Sequence, residues 1–200
     1  VAEPGPVTIR EEDLDFAFDA SWQVCSHWDM EPVRLALLSQ ASGSHGVDLV
    51  GLREGPKGSL YLIEVKDYRT SEKQRSTRNK LADEGDLLAD IVAGKVRDTV
   101  AGLVGAARVE RDQIWRVCVE ALVKREVWVV LWIEHAAVDV SSSVQGKRGK
   151  VRALSPIEKL KKRCRWISAR VAVCSRSGES LPGVTVRSVP AAARTRGRRA

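Results

Sequence analysis

From residue 59 the chain reads Ser-Leu-Tyr-Leu-Ile-Glu-Val-Lys-Asp-Tyr, an apolar run that turns charged only near its end. Its β-branched and aromatic content, with turn residues ahead of it, predicts a strand over Ser59–Tyr68. A matching run covers Val47–Arg53, and Glu54-Gly55-Pro56-Lys57-Gly58 supplies the turn of a β-hairpin between them. Leu88, Ile91, Val92, Val96, Val100 and Leu103 recur at helical spacing and predict a long helix over residues 80–107. A second helix is expected over Asp112–Val123. Glu126–Glu134 is almost continuously apolar, the pattern of a strand covered on both faces. Nearer the N-terminus, Leu14, Phe18 and Trp22 recur every four residues among acidic ones and predict a helix over Glu11–Trp22. Val33–Leu38 suits a short strand or a helical turn equally, and Ala41–Gly46 and Thr70–Asn79 are loops by composition.

The remainder is different in character. Ser141–Lys150 reads as a polar linker. Ser155-Pro156-Ile157-Glu158 then combines an N-cap, a proline at the first helical position and a capping-box glutamate. Ile157, Leu160, Cys164 and Ile167 fall on one face of that helix, with Lys159, Lys161, Lys162, Arg163 and Arg165 crowding the rest. Short strands are expected over Ala169–Cys174 and Val184–Val189. Ala191–Ala200 is Arg-rich and low in complexity, the composition of a flexible tail. Strands interleaved with helices on a hairpin base make an α/β domain.

Composition narrows the class. Of 200 residues, 44% are hydrophobic and 30% charged, which excludes disorder throughout. A chain of this length needs no metal or disulfide staple to fold. The longest apolar run, Val127–Ile133, is far too short to span a bilayer, and Val1–Pro6 lacks the pattern of a signal peptide. The expectation is a soluble cytoplasmic protein with no membrane partner. Cys118, Cys164 and Cys174 lie in apolar-periodic stretches and neither they nor Cys25 form C-x-x-C pairs, so reduced core thiols are expected and a structural zinc is not. The net charge of +7 conceals a division: residues 1–140 carry −7 and residues 141–200 carry +14. A segregated basic third is the footprint expected of a polyanion-binding surface, and the basic helix with its single Glu158 would meet phosphates without reading sequence. No phosphate loop, dinucleotide fingerprint or nucleophile elbow occurs.

Strand alternation carries the chemistry. Asp48, Val50 and Leu52 share one face of the first hairpin strand. Leu60, Leu62, Glu64 and Lys66 share one face of the second, with Glu64 and Lys66 about 7 Å apart along it. A register that sets Asp48 beside Glu64 gathers two carboxylates and an ammonium at one strand end. Paired carboxylates repel unless a cation sits between them, and Mg²⁺ or Mn²⁺ suits such oxygen donors. The ion would acidify a bound water and offset charge on a phosphoryl transition state, with Lys66 orienting the water or neutralising the phosphate.

His45-Gly46-Val47-Asp48-Leu49-Val50, followed across the hairpin turn by Ile63-Glu64-Val65-Lys66-Asp67-Tyr68, resembles the PD-(D/E)XK nuclease superfamily, whose signature is D-x(n)-E-x-K on a hairpin. The proline of that name is absent, since Val47 precedes Asp48. The resemblance covers residues 11–134 in the order of expected elements, and only the hairpin in motif. It implies a restriction-endonuclease-like core over residues 1–140: a mixed central sheet flanked by helices. A basic helix and strands over 141–190 would pack on that core, ahead of a tail at 191–200. It implies a Mg²⁺- or Mn²⁺-dependent nuclease, acting on DNA in preference to RNA. Asp48, Glu64 and the Val65 carbonyl would hold the metal and Lys66 would complete catalysis, while Asp67 and Tyr68 shape the strand end. An auxiliary acidic residue would come from the N-terminal helix, with Glu11 and Asp15 the nearest candidates. A helical glutamine found in exonuclease-type members has no clear counterpart, since Gln74 lies too early. With no sequence-reading module, targeting would come from a helicase or ATPase partner, as in a bacterial antiviral-defence or DNA-processing complex. The alternative is a catalytically inactive nuclease-fold subunit that binds nucleic acid or a protein partner.

Overall fold

The stretch from residue 7 to residue 27 is built of strands and contains no helix. In the computed structural model, which describes residues 6–38, 44–55, 58–69, 85–109, 113–135, 157–168 and 170–189, it forms β1 (Val7–Glu11), β2 (Leu14–Phe18) and β3 (Trp22–His27). The expected helix over Glu11–Trp22 is therefore overturned. Leu14, Phe18 and Trp22 are four apart, and four is even, so the same spacing also keeps side chains on one face of a strand. Phe16 completes the period of two: Leu14, Phe16 and Phe18 are buried while Asp15 and Ala17 are half-buried. Glu11 pairs with Leu14, so β1 and β2 turn through Glu12 and Asp13, with Glu12 at φ 52° in the left-handed region.

A 3-10 turn at Trp28–Met30 leads into helix α1 (Pro32–Leu38), which settles the ambiguous segment as helical, with proline at its first position. The expected hairpin is present as β4 (Leu49–Arg53) and β5 (Ser59–Tyr68), antiparallel in the register Leu49↔Ile63 and Val50↔Leu62. The long helix α2 (Gly85–Val109) and helix α3 (Gln113–Lys124) cross over to β6 (Glu126–His135), which runs parallel to β5 along ten paired positions. Parallel neighbours need such a crossover, whereas β4 and β5 need only a turn. A helix over residues 157–164, here α4, precedes β7 (Arg170–Cys174) and β8 (Val184–Ser188). Residues 141–156, with the linker and most of the capping box, and residues 191–200 lie outside the described residues, as do Gln74 and the turn residues Pro56 and Lys57.

The result is a mixed five-stranded sheet, β3-β4-β5-β6-β7, in an α/β fold. Helices cover one face, where Val50, Leu52, Leu60, Leu62, Val127, Val129 and Leu131 pack against Val92, Val96, Leu103, Trp115, Cys118, Leu160 and Cys164. The other face carries Leu49, Tyr61, Ile63, Val65, Val130 and Trp132, and it is covered by the small sheet β1-β2-β8 through Ile9, Leu14, Phe16 and Phe18. Both faces of β5 and β6 are thus buried, as their apolar runs require. Ile91, expected on the inward stripe of α2, is exposed. Cys118, Cys164 and Cys174 are buried free thiols, and burial pushes them up to about 12, 11 and 12. No described helix is long and apolar enough to cross a membrane.

Candidate functional site

Asp48 is placed by the two residues before it. A Cβ on Gly46 would sit 2.6 Å from the Trp28 indole nitrogen and 3.1 Å from Arg34 Nε, so only glycine lets the chain pass this close to the buried Trp28. The Val47 N–H then donates to Thr99 Oγ1 at 2.8 Å, and the Thr99 hydroxyl donates one turn back to the Lys95 carbonyl at 2.8 Å. Asp98 accepts from the His45 N–H and the Ser44 hydroxyl, both at 3.1 Å. Helix α2 therefore grips the entry to β4. Continuing the β4–β5 register by one residue sets Asp48 across from Glu64, and the Val65 N–H donates to Asp48 Oδ2 at 2.7 Å.

Glu64 has no exposed surface, and Asp48 is 6% exposed. Two ammonium groups converge on this pair. Lys66 Nζ donates to Glu64 Oε1 and, at 3.2 Å, to the Val65 carbonyl. Lys95 Nζ lies 2.8 Å from Glu64 Oε1, 2.9 Å from Glu64 Oε2 and 3.4 Å from Asp48 Oδ1. Burial raises the Glu64 carboxyl above the usual range and Asp48 adds to this, while Lys66 and Lys95 pull the other way. Burial by itself would depress the Lys66 ammonium, but Glu64 outweighs it and the net shift is upward.

Of the two auxiliary candidates, the structure brings in Glu11 and leaves out Asp15. Both sit on strands instead of the expected helix. Glu11, at the end of β1, lies 2.6 Å from His27 Nε2, and its carboxyl is raised by burial and by Asp48 while His27 lowers it. His27 pairs with Leu49, next to Asp48. Asp15 points to the opposite side of β2, where Arg10 holds it at 2.7 Å and draws its carboxyl down. Asp29, in the 3-10 turn, is raised by burial and by Asp48, and lowered by Arg34 and Lys95. Lys95, His27 and Asp29 escaped the sequence reading. Lys95 left one trace, a position on the border of the inward stripe Val92–Val96–Thr99 of α2.

Comparison with known proteins adds little. No family model matches the chain, and no solved structure matches it. It is similar to a cysteine–tRNA ligase from Neisseria meningitidis serogroup A, with 29% identity over 66% of this chain. The match takes in 22% of the ligase's length.

Among the described residues no group of three histidine, cysteine, aspartate or glutamate side chains is placed to hold a metal. A divalent ion would instead rely on two carboxylates and a backbone carbonyl. The chemistry of that donor set fits a hard cation: Asp48 and Glu64 present oxygens at one strand end, the Val65 carbonyl lies beside them, and a cationic group, Lys95 Nζ, already sits between the carboxylates. Asp67 is buried and accepts from Arg69, which ties the end of β5 to the Asp13 carbonyl at 2.9 Å. On α4, Lys162 and Arg163 are exposed and Lys159 and Lys161 half-buried, and Arg165, in the turn just after it, is exposed. Arg163 pairs with Asp90 of α2 at 2.7 Å and Lys161 with Glu158 at 3.0 Å. Trp22 and Trp28 are buried and cannot stack on a base; Trp166 is the exposed tryptophan.

Proposed function

We propose that the chain is a metal-dependent nuclease of the PD-(D/E)XK type, hydrolysing phosphodiester bonds of nucleic acid, DNA in preference to RNA. One observation carries the reading: Asp48 and Glu64 face each other across the β4–β5 register with Lys66 on the same strand end. The antiparallel β3-β4-β5 run followed by parallel β6 supports a restriction-endonuclease-like core, although α1 stands between β3 and β4 and, among the described residues, no helix precedes the sheet. Asp48, Glu64 and the Val65 carbonyl would hold Mg²⁺ or Mn²⁺, which when bound lowers the pKa of a coordinated water and offsets phosphoryl charge. Lys66, held against Glu64 and the Val65 carbonyl, neutralises the scissile phosphate or orients the attacking water. The exposed cations of α4 serve as phosphate contacts, sequence-blind and salt-sensitive. The residues around Glu64 exclude bulk water, which strengthens each of these interactions.

The test is cleavage of labelled single- and double-stranded DNA and RNA, with tRNA included because the similar ligase acts on it, in Mg²⁺ or Mn²⁺. Binding is recorded in Ca²⁺. Lys66→Ala and Asp48→Asn are expected to lose cleavage by about a hundredfold or more while keeping binding. Salt-sensitive binding without cleavage by the wild type would favour a nuclease-fold subunit that does not cut. The seating of Lys95 between the carboxylates is the observation on that side. No cleavage and no binding on any substrate would end the nucleic-acid reading.

A further inference from the structure

Two carboxylates at one strand end require a positive partner, and the fold supplies two. Lys66 neutralises one charge and occupies Glu64 Oε1 and the Val65 carbonyl. Lys95 reaches in from the middle of α2 and meets the atoms a divalent ion would use: both Glu64 oxygens, and Asp48 Oδ1, which is the Asp48 oxygen not already held by the Val65 N–H. An ammonium and a divalent ion cannot share that position, because like charges a few ångströms apart repel strongly in a buried setting. The Lys95 side chain is 16% exposed, and its ammonium ends a flexible four-carbon stem that can change rotamer without moving the helix.

We propose that Lys95 is an internal counter-cation that holds Asp48 and Glu64 in their metal-free arrangement and must be displaced when a divalent ion binds. This rests on the nuclease reading only for the purpose of the metal. The displacement itself is a property of the two carboxylates and the two lysines. Lys95 then sets the metal affinity of the site: the ion has to compete with a tethered ammonium, so the wild type binds weakly when metal is alone. The displaced ammonium lies beside the strand end, where an incoming phosphate offers it a new anionic partner. On this account Lys95 is a positioning residue in the resting protein.

The experiment is a Mn²⁺ titration followed by the electron paramagnetic resonance signal of the free ion, without nucleic acid, on the whole chain. Lys95→Met removes the charge and keeps the stem, Lys95→Arg keeps the charge, and Asp48→Asn removes a carboxylate. The expected result is Mn²⁺ affinity at least about tenfold tighter in Lys95→Met than in wild type, equivalent to about 1.4 kcal/mol. Lys95→Arg should stay within about twofold of wild type, and Asp48→Asn should lose binding. In chelator, Lys95→Met should melt below the wild type, and Mn²⁺ should recover the difference. If Lys95→Met is unfolded in chelator, Mn²⁺ must restore its melting transition, and failure to do so overturns the proposal. Unchanged or weaker affinity in Lys95→Met also overturns it, and leaves the nuclease reading standing if the wild type cleaves. Tighter binding in Lys95→Met by a wild type that never cleaves supports the displacement and tells against the nuclease. Absence of Mn²⁺ binding in every variant removes both.

Discussion

Asp15 and Glu11 are four positions apart across a tight turn, yet they stand in opposite electrical surroundings. Asp15 faces solvent with Arg10 at 2.7 Å, an exposed pair of the kind that contributes little to stability. Glu11 is half-buried, pairs with His27 and feels the charge of Asp48. On the proposed nuclease reading, Glu11→Gln is expected to lower cleavage by about tenfold or more, the scale of a lost acid–base or orienting group. Asp15→Asn should stay within about twofold of wild type, and steady-state rates on one substrate measure both. Equal losses would show that the two residues act through the fold of the β1–β2 hairpin instead. At this scale the sequence was only partly informative. Asp48, Glu64 and Lys66 were legible because a period of two and a short turn dictate which side chains share a strand face. Lys95 was not, because docking a helix onto a sheet leaves no local pattern that tells which charged residue at the stripe's border ends up over the strand end.

Helix α2 illustrates how element and site depend on each other. Gly94 and Gly102 both lie inside it, and both lower its intrinsic helix preference. A Cβ at Gly94 meets nothing within 4 Å, whereas one at Gly102 would come 2.8 Å from Trp28 Cζ2. Gly94→Ala is expected to stabilise the protein by about 0.5–1 kcal/mol. Gly102→Ala is expected to destabilise by about 1–3 kcal/mol, because the buried indole has to shift. Urea or thermal melts of the two variants check the contrast; stabilisation by both would mean that Trp28 has slack. The same indole lies against Gly46, so a displaced Trp28 disturbs the segment that delivers Asp48. The N-terminal strands were misread for a reason that belongs to this scale. A spacing of four fits both periods, and only Phe16, two residues on, distinguishes them.

Across the whole molecule the described part of the basic third, residues 157–168 and 170–189, is woven into the acidic part. β7 extends the five-stranded sheet and β8 completes the small one. Arg163 pairs with Asp90, Arg170 with Glu126 at 3.4 Å, and Arg176 with Glu134 at 3.1 Å. Part of the charge division seen in the sequence is thus spent inside the fold, a use that composition by itself could not reveal. The central place of β5 has a consequence for motion. Its amides are paired on both sides, by β4 and β6, and its two faces are sealed by helices and by the small sheet. Backbone amides of Leu60–Ile63 should exchange with deuterium only through global opening of the protein, and exchange by local fluctuation would contradict that placement. The strand that presents Glu64 is then among the last parts of the molecule to loosen. On the proposed reading, conformational play at the site is expected from the groups brought to β5, the tip of the β1–β2 hairpin and the lysine of α2. The strand itself acts as an anvil against which they move.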